Sequence, residues 1–351
     1  MISRIRINRF RGIREGSLED LKQLTIMIGK NGAGKSTVLE GLYLVSVCAE
    51  DFDVVRRVYK LDYVVNRRGG RGAWDIDIDR KLLWYMSEYE QPIEIQIDIW
   101  GKVFRFLVLD LPKDKYPVRL VDKSGSLIEL KNGLVWEDIS AIPLTRGVSN
   151  ELLEVKKFLE GILLIDALLM RRLAEVEVYA WPRLLTKRGD KYLIEMIKEE
   201  FEPDAEGLTY IPITEGSNYL VLQTSKTSIK IDDLGDGAKS ALVSAMLILA
   251  YKPTVVLIEE PELHMHPAGL YTYMRFLMRL SKEFSFQIIA STHSIEFVEI
   301  AQELSKDLGI DSTVLYLERD SNGVLAARKF SMDDYDILKK LGIDIRLLSK
   351  F

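Results

Sequence analysis

The residues with the clearest chemical potential form a glycine-rich loop, GKNGAGKS, at positions 29–36. This loop satisfies the pattern G-x-x-x-x-G-K-[ST], in which a closely wrapped backbone points several N–H groups at a phosphate. An apolar run precedes the loop and a helical pattern follows it, so the positive N-terminus of a helix adds to anion binding. The sequence therefore predicts a phosphate-binding loop between a strand and a helix.

Each kind of side chain in this loop has its own predicted task. Lys35 is expected to bridge the β- and γ-phosphates of a nucleotide, and the Ser36 hydroxyl is expected to ligate Mg²⁺. The other contacts with the nucleotide are assigned to the loop residues Gly29, Asn31, Gly32, Ala33, Gly34 and Thr37.

Two adjacent carboxylates, Glu259 and Glu260, follow the apolar run VVLI at 255–258. A buried parallel strand reads as a continuous apolar run, and ligands lie outside the carboxyl ends of such strands. Glu259 is therefore predicted to hold Mg²⁺ or its water shell. Glu260 is predicted to orient or deprotonate the water that attacks the γ-phosphate.

The run FQIIAST at 286–292 repeats this pattern and ends at His293. An imidazole at a strand end can donate to the γ-phosphate or hold the attacking water. His264 and His266 lie on either side of Met265, but without a neighbouring cysteine or third histidine their spacing does not favour zinc. All three histidines of the chain thus lie in or beside the predicted site.

A further glycine motif, LGDGAK at 234–239, occupies a predicted strand-to-helix turn about twenty residues before the acidic strand. Such a motif is weak by itself. Its order and spacing relative to the loop at 29–36 make it a candidate part of the same site.

The elements that must position these residues alternate between strand and helix at both ends of the chain. Strands are predicted for RIRIN, LTIMI, TYIPI, YLVLQ, TSIKI, TVVLIEE and FQIIAST. Helices are predicted for the residues after 35, for 237–250 and for 268–282, and a hairpin for 314–330. Antiparallel strands are predicted in between. The signals are the alternating run at 92–100, the segment after Gly101 and the turns at 124–125 and 132–133. Residues 151–175 and 183–201 are predicted helices, with a break at Trp181-Pro182.

This pattern predicts an α/β fold: a P-loop NTPase with a central, mostly parallel sheet, an antiparallel β region and a helical insertion. A chain of 351 residues is long enough for about two domains. We predict a core built from 1–50 and 205–351 and an inserted subdomain at 51–204.

Composition excludes a disordered chain and a wholly basic nucleic-acid-binding protein, because 47% of residues are hydrophobic and the net charge is −5. The charge is uneven, since residues 1–72 carry 14 Lys/Arg and 8 Asp/Glu, a net +6 that leaves −11 for the rest. A low Asn and Gln content, 13 in total, is typical of thermophile proteins. We predict a cytoplasmic protein without membrane contact. The chain has one cysteine, Cys48, it shows no apolar leader, and its apolar runs are far shorter than the ~18 residues of a membrane span.

Taken together, these motifs resemble the ABC-type ATPase heads of the SMC, RecF and OLD-like group, and especially its small predicted ATPases without a Toprim domain. The matching segments, within 1–45 and 207–351, are NRFRGI, LTIMIGKNGAGKSTVLEGL, DLGDGAKSAL, IEEPELHMHP and ASTHS. The resemblance implies ATP and Mg²⁺ as ligands and ATP hydrolysis. It also implies an ATP-dependent head-to-tail homodimer, in which Gly235, Gly237 and Lys239 of one chain close over the ATP of the other.

Two departures from that group predict slow hydrolysis. Gly235 stands where many members have a serine, and Glu259 replaces the commoner aspartate. The glutamine of the group's Q-loop has only two candidates, Gln91 and Gln96.

Several functions remain open at this stage. The ATPase is predicted to act in DNA repair, chromosome handling or defence, with DNA or a separate effector protein such as a nuclease as partner, and the alternative is a non-enzymatic, ATP-gated scaffold. A transporter subunit is disfavoured by the 200 positions between Lys35 and Gly235, and an OLD-type nuclease by the 58 residues after His293. Five arginines are predicted to form either a DNA-contacting patch or a solvated loop: Arg56, Arg57, Arg67, Arg68 and Arg71.

Overall fold

The computed structural model describes residues 1–68, 81–108, 150–170, 173–186, 188–214, 217–263 and 265–330, with short strands between 118 and 144 and three positions at 334, 337 and 340. Arg71, His264 and the predicted turns at 124–125 and 132–133 lie outside the described residues. None of the helices in this described part is long and apolar enough to cross a bilayer.

In the part of the chain that the structure describes, fourteen strands form one large sheet. Its strands are β1 (Ile2–Phe10), β2 (Ile13–Leu18), β3 (Leu24–Ile28), β6 (Ile93–Ile99), β7 (Lys102–Val108), β8 (Val118–Val121), β9 (Leu127–Ile128), β10 (Val135–Glu137), β11 (Ile142–Leu144), β12 (Ile162–Ile165), β16 (Val255–Glu259), β17 (Gln287–Thr292), β18 (Ser312–Arg319) and β19 (Val324–Phe330). Their order across the sheet is β11-β10-β9-β8-β7-β6-β1-β2-β19-β18-β3-β17-β16-β12. Two smaller sheets pair β4 (Phe52–Asp53) with β5 (Val58–Tyr59), and β13 (Ala205–Thr214) with β14 (Ser217–Thr224) and β15 (Ser228–Lys230).

The described helices flank these sheets. They are α1 (Lys35–Val45), α2 (Lys60–Asn66), α3 (Asn150–Glu160), α4 (Ala167–Met170), α5 (Leu173–Thr186), α6 (Gly189–Glu200), α7 (Asp236–Tyr251), α8 (Pro267–Phe284) and α9 (Ile295–Leu308). Short 3₁₀ turns occupy Ser46–Cys48, Tyr85–Ser87 and Ile231–Asp233.

The parallel part of the large sheet positions the predicted site. β18, β3, β17, β16 and β12 run parallel and in register, so Glu259 at the end of β16 pairs with Ser291 of β17. β17 continues to Thr292, which pairs with Ile28 at the end of β3. The phosphate loop, the acidic pair and the histidine therefore leave the sheet at one edge, where such folds bind ligands.

Both faces of this parallel part are buried, which explains its continuous apolar runs. Within β16, Val256 and Ile258 face one hydrophobic core, whereas Val255 and Leu257 face the other. The first core contains helices α5–α9, and the second contains α1 and the antiparallel strands. The fold class is thereby confirmed: an α/β molecule with a parallel sheet, an antiparallel β region and added helices.

One predicted helix is wrong. Residues 151–175 are not a single helix, because α3 ends at Glu160 and the segment ILLI forms β12, the edge strand beside β16. A four-residue apolar run flanked by helical sequence cannot be assigned by periodicity alone, and here pairing with β16 decides it.

The predicted break at Trp181-Pro182 is also wrong, since both residues lie inside α5. Trp181 is buried in the first core and packs edge-on against Tyr210, with ring centroids 5.7 Å apart. Tertiary packing of this kind stabilises a helix that the proline alone disfavours.

The division into a core and an insertion at 51–204 stays a prediction. Strand pairing adds one fact to it: β6, β7 and β12 of the proposed insertion belong to the same sheet as the phosphate-loop strand β3.

Candidate functional site

The phosphate loop connects β3 to α1 with the backbone that its glycines permit. Gly32 and Gly34 have φ values of +78° and +101°, a left-handed region that strongly favours glycine. Gly34 is the N-cap of α1, and the N–H of Val38 donates to its carbonyl at 2.9 Å. The loop thus delivers Lys35 and Ser36 into the first turn of the helix, whose N-terminus attracts anions.

Lys35 is buried and its ammonium is held by the loop itself. Its Nζ donates to the carbonyl of Gly29 at 2.8 Å and to that of Lys30 at 3.1 Å. Burial lowers the pKa of Lys35 to about 8, although the nearby carboxylates of Glu260, Glu262 and Glu259 oppose this shift. A buried ammonium held at the mouth of a glycine loop suits a polyanionic ligand, which would restore its full charge.

Glu260 and His293 are brought together at the ends of β16 and β17. Nε2 of His293 lies 3.3 Å from Oε1 of Glu260, and the N–H of Glu260 donates to the carbonyl of Ser291 at 2.9 Å. Glu260 has a φ of +48°, a strained conformation for a side chain of this kind. Burial, and then the positive charge of Lys35, lower the pKa of His293, so the imidazole is neutral at pH 7.

Glu262 is a site residue to which the sequence assigned no role. Its Oε1 accepts hydrogen bonds from the hydroxyl of Thr292 at 2.7 Å and from the N–H of His293 at 2.9 Å. The carboxylate therefore ties the loop after β16 to the end of β17. Its position in the EEPE segment was the available signal.

We expect Glu262→Ala to lower both stability and hydrolysis. The substitution removes the acceptor of two hydrogen bonds to a carboxylate, which costs about 2–3 kcal/mol in the free energy of unfolding. Urea denaturation and phosphate release from ATP measure the two effects. Glu262→Gln keeps an acceptor oxygen and should recover most of the loss, and equal stability of the Ala variant and the wild type would contradict the assignment.

A buried carboxylate on α1, Glu40, gathers three arginines behind the phosphate loop. Its oxygens lie 2.6 Å from Nε of Arg11, 3.1 Å from Nη1 of Arg67 and 2.8 Å from Nε of Arg68. Burial lowers the pKa of Arg11 to about 10, while the carboxylate of Glu40 opposes that change. The ion pairs compensate a charge that would otherwise be costly inside the protein.

The same network reaches the predicted metal ligand. Arg67 Nη2 contacts Oε2 of Glu259 and lies 3.2 Å from Oδ2 of Asp166, the residue that follows β12. Arg56 lies 3.3 Å from the other oxygen of Asp166 and 2.9 Å from Asp53. Although burial raises the pKa of Asp166, Arg56 and Arg67 hold it below its usual value.

The interpretation of Arg56 and Arg67 as DNA contacts or solvated loop residues is therefore wrong. Arg56 is buried, the side chain of Arg67 is only 6% exposed, and both are paired with carboxylates of the chain itself. Of the two Q-loop candidates, Gln96 lies on β6 and Gln91 precedes that strand, and their assignment stays a prediction. Asp166, at the end of the strand next to Glu259, had the same signal as the acidic pair: a polar residue directly after an apolar run.

The turn at 234–239 lies at the start of α7, with Gly235 as N-cap. A Cβ on Gly235 would meet no atom within 4 Å, whereas a Cβ on Gly237 would lie 3.3 Å from Gly269 Cα at the start of α8. Gly235 is thus open toward its surroundings, and Gly237 allows two helices to approach closely. A pocket of about 240 Å³ extends from this turn to the ends of β12 and β16, lined among others by Lys239, Ser240, Asp166, Glu259, Glu260, Met170, Met265 and Tyr273.

The remaining residues of the predicted nucleotide site lie along the loop and the first turn of α1. Asn31 and Gly32 are exposed, Ser36 is half-buried, and Ala33 and Thr37 are buried. The donor set fits Mg²⁺, because a hydroxyl at Ser36 and a carboxylate at Glu259 are oxygen ligands, and Mg²⁺ usually combines one or two carboxylates with phosphate oxygens.

Comparison with known proteins decides the family. The family model described as "AAA domain, putative AbiEii toxin, Type IV TA system" matches residues 24–299, most of the chain. The chain belongs to this family. The match spans the phosphate loop, the acidic strand and His293, so this AAA-domain protein is a nucleotide-binding P-loop ATPase by family, of the ABC-type SMC, RecF and OLD group.

Curated relatives agree with this placement. An ATP/GTP phosphatase of Helicobacter pylori is 20% identical over 361 residues, covering 93% of this chain and 94% of that protein. An uncharacterized protein of Methanocaldococcus jannaschii is 29% identical over 113 residues, 32% of this chain and 99% of its own length. An OLD nuclease of Thermus scotoductus is 36% identical over 89 residues, 24% of this chain and 17% of the nuclease.

Solved structures show the same fold. The SMC head domain from Thermotoga maritima matches with a TM-score of 0.51 at 14% identity, covering 94% of this chain and 99% of the head. An Smc head bound to the C-winged helix domain of ScpA matches with a TM-score of 0.52 at 14% identity, covering 96% and 99%. The AAA-domain protein therefore has the fold of an SMC head.

Proposed function

We propose that this AAA-domain protein binds and hydrolyses ATP and that ATP drives its head-to-tail dimerisation. The observation that carries the proposal is the convergence of Lys35, Glu260 and His293 at one sheet edge. These groups provide a cation for the phosphates, a carboxylate that can act as base and an imidazole that can position the attacking water, roles that recur in phosphoryl transfer.

In this mechanism, the loop N–H groups and the Lys35 ammonium hold the β- and γ-phosphates. Glu260 accepts a proton from the attacking water, and His293, 3.3 Å away, keeps that carboxylate and the water aligned. Ser36 and Glu259 would hold Mg²⁺, which when bound neutralises charge developing on the phosphate oxygens. Glu262 fixes the backbone of His293 and is a positioning residue.

Dimerisation accounts for the turn at 234–239. The open surroundings of Gly235 leave the N-terminus of α7 accessible to a phosphate on a second chain, and such a terminus favours anions. The SMC heads of the same fold belong to the group for which the sequence resemblance implies a head-to-tail dimer, which supports this proposal. Gly235 lacks the hydroxyl of serine, so the contact in trans would come from backbone N–H groups or from the ammonium of Lys239 in the same turn.

The affinity for ATP should fall as the pH rises above about 8. The pKa of Lys35 is about 8 in the free protein, and bound phosphates raise it, so the complex carries more protons than the free protein above that pH. The loss approaches about tenfold per pH unit until the pKa of the complex is reached. Isothermal titration calorimetry between pH 6.5 and 9.5 in buffers of different ionisation enthalpy measures affinity and proton uptake, and a flat profile would contradict the role of Lys35.

A scaffold gated by ATP is the second candidate. It is favoured by one observation: Lys35 and Glu259 are both engaged by atoms of the chain itself, so a ligand must rearrange the site. Phosphate release from ATP and from GTP, with and without DNA, separates the candidates. Steady turnover supports the hydrolase, whereas tight ATP binding and dimerisation without turnover support the scaffold.

For the biological process, we propose defence or DNA maintenance with a separate effector. The description of the family names a putative AbiEii toxin and a Type IV toxin–antitoxin system, and the OLD nuclease is a relative over part of the chain. Proteins that co-purify with the full chain, compared with those that co-purify with a Lys35→Ala variant, would identify an ATP-dependent partner.

A further inference from the structure

Arg67 is paired with Glu259, the carboxylate to which the proposed function assigns Mg²⁺. This arginine follows α2, and its side chain is 6% exposed. One guanidinium contacts three carboxylates from three different elements: Glu40 of α1, Asp166 after β12 and Glu259 at the end of β16. The contact with Glu259 joins residues 192 positions apart, so it is a product of the fold.

A guanidinium and a divalent cation compete for one carboxylate. Each neutralises the same negative charge, and the two cations repel each other at short range in a partly buried site. We propose that Arg67 is the internal counter-ion of Glu259 in the nucleotide-free protein and that Mg²⁺ displaces it when nucleotide binds. The inference rests on the proposed function for the assignment of Mg²⁺ to Glu259.

The arrangement makes the exchange possible without leaving a bare charge in the interior. When Arg67 leaves Glu259, its guanidinium still has Glu40 at 3.1 Å and Asp166 at 3.2 Å. Metal binding is therefore linked to a small shift of the residue that caps α2, rather than to unfolding of the network.

The same geometry explains why a variant at this position should fold. Without Arg67, Glu40 keeps its ion pairs with Arg11 and Arg68, and Asp166 keeps Arg56. Glu259, 18% exposed, loses the partner described above and becomes available to a metal.

The test measures metal binding rather than catalysis. Mn²⁺ is titrated into the full chain saturated with ADP, and free Mn²⁺ is followed by electron paramagnetic resonance. We expect Arg67→Gln to raise the affinity of this complex for Mn²⁺ on the order of tenfold, the equivalent of one modest ion pair. ADP affinity in EDTA should change little, because the competition concerns the metal.

Arg68→Gln is the matched control. Arg68 pairs with the same carboxylate, Glu40, at 2.8 Å, and its removal changes the charge of the site equally without a contact to Glu259. A gain in Mn²⁺ affinity of the same size in this variant would show a general charge effect and overturn the inference. Adding Glu259→Gln to Arg67→Gln should abolish the gain.

Arg67→Lys guards against a folding defect in the Gln variant. It keeps the charge but loses the fork that reaches three carboxylates, so an intermediate gain is expected. Wild-type Mn²⁺ affinity in both Arg67 variants overturns the counter-ion role alone. If the wild-type chain binds no ADP in EDTA and no Mn²⁺ with ADP, the proposed function fails, and this inference fails with it.

Discussion

Glu260→Gln should hydrolyse ATP at least about a hundredfold more slowly than the wild type, since a positioned general base contributes about 10²–10⁴ to a rate. The amide has the same shape but accepts no proton from the attacking water. Binding of ATP is retained because Lys35 and the phosphate loop are unchanged, so the ATP-bound dimer should accumulate. Phosphate release and light scattering after size-exclusion chromatography, with ATP and Mg²⁺, measure the two effects.

Glu303→Gln on the exposed side of α9 is the matched control, because it removes the same charge far from the sheet edge. Its turnover and its mass should equal those of the wild type. A Glu260→Gln variant that stays monomeric with ATP would count against the composite dimer site. Undiminished turnover would count against Glu260 as the base.

Lys35→Ala should abolish measurable ATP binding. The ammonium provides charged hydrogen bonds to two phosphates, each worth about 1.5–3 kcal/mol, so affinity should fall by at least about a hundredfold. Calorimetry with ATP, or a fluorescent ATP analogue, measures the change. The thermal unfolding of the variant should be measured as well, because the carbonyls of Gly29 and Lys30 lose the donor of their hydrogen bonds.

Lys30→Ala provides the comparison within the same loop. Its side chain is exposed, and only its backbone carbonyl contacts Lys35. This variant should bind ATP nearly as tightly as the wild type. Equal affinity of Lys35→Ala and the wild type would instead remove the basis for the nucleotide site at 29–36.

The strands and helices around the site were predictable where local pattern suffices. The helices predicted at 237–250 and 268–282 and the hairpin over Asn322-Gly323 were all confirmed. The segment at 162–165 was predicted as helix and is a strand, because pairing with a neighbouring strand decides the secondary structure of an apolar run of only four residues. The predicted break at Pro182 was also wrong, because packing against the rest of the protein stabilises helix α5 in spite of the proline.

Within the site, the sequence identified residues that lie next to a glycine loop or directly after an apolar strand. It overlooked Glu262, whose role depends on the backbone of His293, and it assigned Arg56 and Arg67 to a surface. Charged residues have no periodic signal that separates a solvated arginine from one paired inside the protein.

The sequence by itself thus determined the family, the glycine loop and which polar residues stand at the ends of two strands, because those features are local and depend on residue type and spacing. Only the tertiary structure decided which charges neutralise which. Arg67 meets Glu259 and Asp166 because β12 and β16 end side by side and α2 reaches that edge. Such pairs form between residues far apart in the chain. The Coulomb energy of a pair depends on the distance between the charges in space and on their burial, which sequence separation does not reveal.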